Sequence, residues 1–174
     1  MNAEQIKNLV RDVPDFPKKG VIFKDITPLL SDVTAFREAV RLLAAPYKGK
    51  GITKVLGVEA RGFLLAAPAA LELDAGMVPL RKKGKLPRKT VSASYALEYG
   101  TDTLHMHADA LEKGDKVLIV DDVLATGGTC AAVIEMAREL GAEVVAAAFL
   151  IELDFLGGRG KLKDTAVHSL INYK

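Results

Sequence analysis

Four apolar residues, Val117, Leu118, Ile119 and Val120, run directly into two acids, Asp121 and Asp122, and these into the loop Val123-Leu124-Ala125-Thr126-Gly127-Gly128-Thr129. An unbroken apolar run bounded by turn residues is the pattern of a parallel strand buried on both faces, because a half-solvated strand would alternate. Acids at the C-terminal end of such a strand, followed by glycines and a helix start, lie where open α/β sheets place their ligands. The loop is built for an anion. Gly127 and Gly128 let backbone N–H groups approach, Thr126 and Thr129 add hydroxyl donors, and the helix from about Cys130 directs its positive end at the same point. The carboxylates repel a phosphate and suit sugar hydroxyls or a metal instead. Together they imply a phosphorylated sugar, its diol at the acids and its phosphate at the loop. An ordinary strand–turn–helix explains the segment poorly, since paired acids at a buried strand end are costly unless they serve a ligand. The chain has neither GxxxxGK[ST] nor GxGxxG, which disfavours the two commonest nucleotide loops.

The rest of the chain reads as alternating strands and helices. The expected strands are Lys54–Val58, Gly76–Arg81, 117–122, Val144–Ile151 and Val167–Ile171, and the expected helices are Thr34–Pro46, Phe63–Leu73 and about 129–140. Val91–Tyr99 and Asp102–Met106 read as an antiparallel hairpin turning at Gly100. A short amphipathic helix is expected over 3–11, with Ser31 or Asp32 capping the helix from Thr34. Pro14, Pro17 and Gly20 make Val13–Gly20 an irregular arm, and Gly157 to Lys163 a surface turn. Such alternation predicts an α/β fold with a central, mostly parallel sheet flanked by helices. The 174 residues suit one domain. A net charge of +2 gives no argument for nucleic-acid binding. The longest apolar stretch, near Val144–Ile151, is too short to span a bilayer. A single cysteine, Cys130, excludes an intrachain disulfide and fits a reducing cytoplasm.

The 117–129 segment resembles the phosphoribosyl-pyrophosphate (PRPP) signature of the type I phosphoribosyltransferases, and four further segments narrow the likeness. Asp15-Phe16-Pro17-Lys18-Lys19-Gly20-Val21-Ile22-Phe23-Lys24-Asp25 is similar to the N-terminal arm of the adenine phosphoribosyltransferase family. There the resemblance implies a hood whose main chain at Ile22 and Lys24 reads a purine edge, with Phe23 stacking on the ring and Val123 also lining the base site. A backbone C=O and N–H pair matches the amino group and N1 of adenine and sets carbonyl against carbonyl for a 6-oxo purine. Glu59-Ala60-Arg61-Gly62, at a strand-to-helix turn, suits pyrophosphate through the Arg61 fork and the turn's N–H groups. Arg81-Lys82-Lys83-Gly84-Lys85-Leu86-Pro87-Arg88-Lys89 carries six basic residues among nine and reads as a lid over a polyanion. Arg81, Lys82 and Lys85 match the family pattern. In Ser94-Tyr95-Ala96-Leu97-Glu98-Tyr99-Gly100 the resemblance implies that Glu98 is the catalytic acid near N7 of the base, with Arg61 assisting, and that Tyr99 lines the active site. His105 and His107 share a strand face by period two. No third ligand with suitable spacing follows, so a surface or interface role is expected.

The resemblance therefore implies a type I phosphoribosyltransferase fold over 1–174, with an N-terminal hood at about 1–33, a PRPP-binding core at about 34–174 and a flexible lid hairpin at 82–98. It implies adenine and PRPP as substrates, neither nucleic acid nor membrane as partner, and a cytoplasmic homodimer. Mg²⁺ is expected mainly on PRPP oxygens and water, with no direct protein ligand assigned. Two alternatives stand beside it: a phosphoribosyltransferase for xanthine or another 6-oxo purine, which should differ in the hood, and a PRPP-sensing regulator. The regulator needs a DNA-binding module, and too few residues precede the hood for a winged helix. If Glu98 handles the base proton, Glu98→Gln lowers turnover by about a hundredfold or more and weakens PRPP binding far less. Single-turnover rates set beside a PRPP titration check this, and equal losses in both would exclude the role.

Overall fold

The computed structural model describes residues 1–96, 101–162 and 164–174. In chain order the elements are α1 (Ala3–Lys7), β1 (Arg11–Pro14), β2 (Ile22–Asp25), α2 (Thr27–Ser31), α3 (Val33–Ala44), β3 (Lys54–Val58), α4 (Arg61–Glu72), β4 (Gly76–Lys82), β5 (Thr90–Ala96), β6 (Thr101–His107), β7 (Lys116–Leu124), α5 (Gly128–Glu139), β8 (Glu143–Leu153) and β9 (Ala166–Tyr173), with short 3₁₀ turns at Ala45–Tyr47, Asp154–Leu156 and Gly158–Lys161. Among the described residues, β1 and β2 form a small antiparallel hairpin, and seven strands form one sheet in the order β5-β6-β4-β3-β7-β8-β9. The five strands from β4 to β9 run parallel, and β6 and β5 extend the sheet antiparallel at one edge.

The burial of β7 explains its unbroken apolar run. Val117 and Ile119 pack with Val133, Ile134 and Ala137 of α5. Leu118 and Val120 face the other way, among Leu43 of α3 and Leu65 of α4. All four strand residues are fully buried. At about 1.5–3 kcal/mol of burial free energy per large aliphatic side chain, polar residues are excluded over 117–120. Asp121 and Asp122 follow within the strand, which stays paired to β8 as far as Leu124, two residues beyond the expected end. Helix α3 begins where the sequence indicates: the Asp32 carboxylate accepts from the N–H groups of Thr34 and Ala35, each at 2.9 Å.

Two expectations need correction. Val13 and Pro14, expected in an irregular arm, and Arg11, expected in the first helix, belong to β1, because β2 pairs with them from Arg11↔Asp25 to Pro14↔Ile22. Pro14 is tolerated there as the last residue of an edge strand. Helix α1 is also shorter than its pattern; an Asn2–Gln5 capping box starts it, and it ends at Lys7. Leu97, Glu98, Tyr99 and Gly100, including the expected hairpin turn, lie outside the described residues. No helix among the described residues is long and apolar enough to cross a membrane.

The sheet has a switch point between β3 and β7, from which the chain winds outward in both directions. Crevices at the carboxyl ends of strands form at such points. The crevice depends on how closely α4 approaches β3. A Cβ on Gly57 would lie 2.6 Å from Cβ of Ala66 and 2.9 Å from the Met77 methyl. The methionine can swing aside, but Ala66 moves only with its helix. Gly57→Ala is therefore expected to cost about 1–3 kcal/mol, read as a lower denaturation midpoint with an unchanged slope.

Candidate active site

The two acids lie near the carboxyl end of β7, just before its last two residues, Val123 and Leu124. Asp122 is buried, 7% exposed, and Nη2 of Arg61 stands 2.6 Å from its Oδ2. That approach is an ion pair and not an aligned hydrogen bond, because Oδ2 makes no hydrogen bond among the described residues. Oδ1 of Asp121 accepts from the Asp122 N–H at 2.9 Å. Burial first, and then the neighbouring Asp122 charge, push the Asp121 carboxyl well above its ordinary pKa. Two crowded carboxylates of this kind favour hydroxyl donors such as a sugar diol, which supply hydrogen bonds without adding negative charge.

Beyond the acids, Asp121, Val123, Ala125, Thr126, Gly127 and Thr129 line a cavity of about 80 Å³. Gly127 adopts φ +78° and precedes α5, whose first turn no side chain among the described residues caps. Gly128 is the first residue of that helix. Its leading N–H groups therefore remain available to an anion.

Arg61, the first residue of α4, sits at the junction of three segments. Besides Asp122, it donates through Nη1 to the carbonyl of Lys24 at 3.4 Å, and its guanidinium lies 4.5 Å from the centroid of the Phe23 ring. The neighbouring Gly62 permits this: a Cβ there would stand 2.7 Å from Oδ1 of Asp121. Arg61 thus links the Phe23–Lys24 stretch to the carboxyl end of β7. Phe23 also meets Phe16 edge-on, with centroids 5.0 Å apart. Ile22 is exposed. Lys24 sends its ammonium away from the crevice, to Asp12 at 2.6 Å and over the Tyr173 ring, so it faces Arg61 through its main chain.

The basic segment is gathered by Glu59. Its carboxylate pairs with Nζ of Lys85, accepts the Lys82 N–H at 2.9 Å and lies 3.5 Å from Nε of Arg81. Lys85 above all, and then the Lys82 N–H, hold the Glu59 carboxyl at about 2. The peptide joining Glu59 to Ala60 is cis. The Lys82 ammonium turns instead to Asp102, 3.1 Å away. Tyr95 donates to the same carboxylate oxygen at 3.3 Å. Burial raises the Tyr95 phenol, while the Thr129 hydroxyl acts in the opposite direction. Tyr95 thus stands between the basic segment and the start of α5, a place its alternating strand pattern gave no sign of. Glu98 and Tyr99 lie outside the described residues. His105 stands opposite Ser92 in the β5–β6 pair with its Nδ1 3.2 Å from the Thr90 hydroxyl, and one buried ring nitrogen of each of His105 and His107 has no hydrogen-bond partner among the described residues.

The pH dependence of the Glu59 cluster follows from its sign. A carboxyl lowered in the folded state stabilises above its unfolded value near 4.5, and that contribution fades as pH falls toward 2. Lys85 and Arg81 are one-third to one-half exposed, so water screens the cluster to about 1 kcal/mol. Glu59→Gln should lower stability by that amount at pH 7, with the difference from the parent closing between about pH 4.5 and 2. Paired denaturation curves across that range check this, and a gap that widens in acid would exclude it.

Residues 30–170 match the phosphoribosyl transferase domain family. A curated relative from Geobacter metallireducens, an adenine phosphoribosyltransferase, is 60% identical and aligns over 98% of this chain and 99% of its own. One from Geotalea uraniireducens, of the same name, is 56% identical with equal coverage. The solved adenine phosphoribosyltransferase of Thermoanaerobacter pseudethanolicus superposes with a TM-score of 0.96 at 49% identity, covering 99% of this chain and all of its own. The yeast enzyme, 38% identical with a TM-score of 0.90 and 97% coverage of both chains, was crystallised with adenine and an imino-altritol bisphosphate.

Proposed function

The chain belongs to the adenine phosphoribosyltransferase family, and from that premise we propose that it joins adenine to PRPP, giving AMP and pyrophosphate. The observation that carries this reading is the contact of Arg61 with both Asp122 and the hood, which sets a base-sized aromatic lining beside a sugar-phosphate loop. The yeast relative, which holds adenine and a sugar bisphosphate together, supports the same pairing.

In the proposed reaction, N9 of adenine forms its bond to the anomeric carbon as the bond from that carbon to pyrophosphate breaks. Ala125, Thr126, Gly127, Gly128 and Thr129 hold the 5′-phosphate, and Asp121 and Asp122 accept hydrogen bonds from the ribose hydroxyls. The same carboxylates favour the positive charge that develops on the sugar. Glu59, Ala60, Arg61, Arg81, Lys82, Lys85 and Tyr99 form the pyrophosphate and lid side. Because Glu59 already holds Lys85 and Arg81, a departing pyrophosphate takes over cations that are gathered in advance. Phe23, the main chain at Ile22 and Lys24, and Val123 bind adenine, and Arg61 leaves the Phe23 ring as the base arrives. Glu98 manages the proton at N7.

The donor chemistry fits Mg²⁺ carried on PRPP oxygens: the adjacent carboxylates of Asp121 and Asp122 would hold such an ion through its water, with Asp122 Oδ2 already facing Arg61. When bound, Mg²⁺ supplies positive charge to the pyrophosphate. We read 1–174 as one domain, with the hood at 1–33 and the lid at 82–98, acting as a cytoplasmic homodimer.

The test offers purified protein PRPP and Mg²⁺ with adenine, hypoxanthine, guanine or xanthine in parallel. AMP from adenine alone is expected, lost on chelation with EDTA and restored by excess Mg²⁺. Nucleotide from a 6-oxo base would overturn the reading of the hood. PRPP bound without any product would indicate a sensor.

A further inference from the structure

The segment after β8 was expected to be a surface turn that adds little. The structure ties it instead to the phosphate loop. Glu152, near the end of β8, is 4% exposed and pairs in register with Leu124 of β7. Its carboxylate accepts from Nε and Nη2 of Arg159 at 3.0 and 2.5 Å and from the Ser169 hydroxyl at 2.5 Å. The third nitrogen of the same guanidinium donates to the Val167 carbonyl at 2.9 Å. A two-pronged guanidinium–carboxylate pair fixes direction as well as distance, so the turn Gly158–Lys161 is held to β8 and β9.

What the turn presses against is the back of the loop. Gly158 is buried. A Cβ added to it would collide with the Ala125 carbonyl oxygen and lie 2.9 Å from the Gly127 nitrogen, and a Cβ on Gly127 would collide with the Gly158 carbonyl oxygen. The two backbones therefore touch with no side chain between them. Buried ion pairs are a poor source of stability, because apolar residues of equal volume usually do as well. A pair that orients a turn against a ligand loop has a different use. Anion recognition by N–H groups tolerates only small errors of position and angle.

Resting on the PRPP reading above, we propose that Gly158 and Arg159 are positioning residues for the 5′-phosphate. Glu152 and Ser169 aim Arg159, Arg159 sets the turn, and Gly158 sets the direction of the N–H groups at Gly127. None of these residues touches the substrate.

The test measures ribose 5-phosphate binding by calorimetry, KM for PRPP and for adenine, and melting temperature, in Gly158→Ala, Arg159→Gln and Arg159→Lys. Gly158→Ala should weaken ribose 5-phosphate binding and raise KM for PRPP by roughly tenfold or more, while KM for adenine stays within about twofold. Arg159→Lys should recover part of what Arg159→Gln loses, because it keeps the charge and loses the fork. If Arg159→Gln fails to fold, Gly158→Ala decides alone. A lower melting temperature or active fraction with unchanged sugar-phosphate binding in Gly158→Ala would reduce the segment to a structural support and overturn the proposal. Binding of ribose 5-phosphate by the parent protein without AMP formation would instead overturn the proposed reaction, and the binding comparison would still judge the positioning role.

Discussion

Two carboxylates at the end of a strand buried on both faces must be compensated, and much of the crevice is arranged around that compensation. Asp122 is met by Arg61 from the first turn of the neighbouring helix. That approach is possible because Gly62 leaves space where any side chain would strike Asp121. Arg61 in turn is held by the Phe23 ring and the Lys24 carbonyl. The Phe23–Lys24 stretch is thus linked electrostatically to β7, while Ile6, Ile26 and Leu29 pack the N-terminal segment into the apolar core. Removing one partner of such a pair leaves a buried charge uncompensated, which is far more costly than the pair itself is stabilising.

The basic segment follows the same logic at β3. Six positive residues within nine would repel one another and disperse. Glu59 provides the opposing charge that gathers Lys85 and Arg81, and Asp102 does so for Lys82. Each anchoring acid lies close to its cations in the folded chain but more than a dozen residues away in sequence. On the proposed reading, a pyrophosphate competes with these acids for the same cations, so departure of the product restores the ion pairs.

Much of this was legible in the residues. The apolar run at 117–120 was legible as a doubly buried strand with its acids toward the carboxyl end, though the strand's extension to Leu124 was not. A helix cap could be recognised at Ser31 or Asp32, and the structure uses Asp32. Local chemistry decided these features, so local sequence sufficed. The C-terminal segment was misjudged because its glycines look like ordinary turn residues. Nothing in Gly157-Gly158-Arg159 indicates that one glycine is pressed against Gly127, some thirty positions earlier. Glu152 did carry a signal, an acid at the end of a buried apolar run like that of Asp121. Tyr95 carried none, since an aromatic in an alternating strand is read as packing.

Which residues can bury, cap, bend or carry charge is intrinsic to their side chains and immediate neighbours. The sequence alone therefore determined the α/β class, the Gly/Thr loop after β7 and the acids before it, and the basic stretch. Which of these meet is set by the winding of the chain about β3 and β7 and by how closely glycines let backbones approach. Only the tertiary structure decided that Arg61 would join Phe23 and Lys24 to Asp122, that Glu59 would gather Arg81 and Lys85, and that Gly158 would press against Ala125 and Gly127. Those contacts depend on strand order and on distances between residues remote in sequence, and no local pattern encodes them.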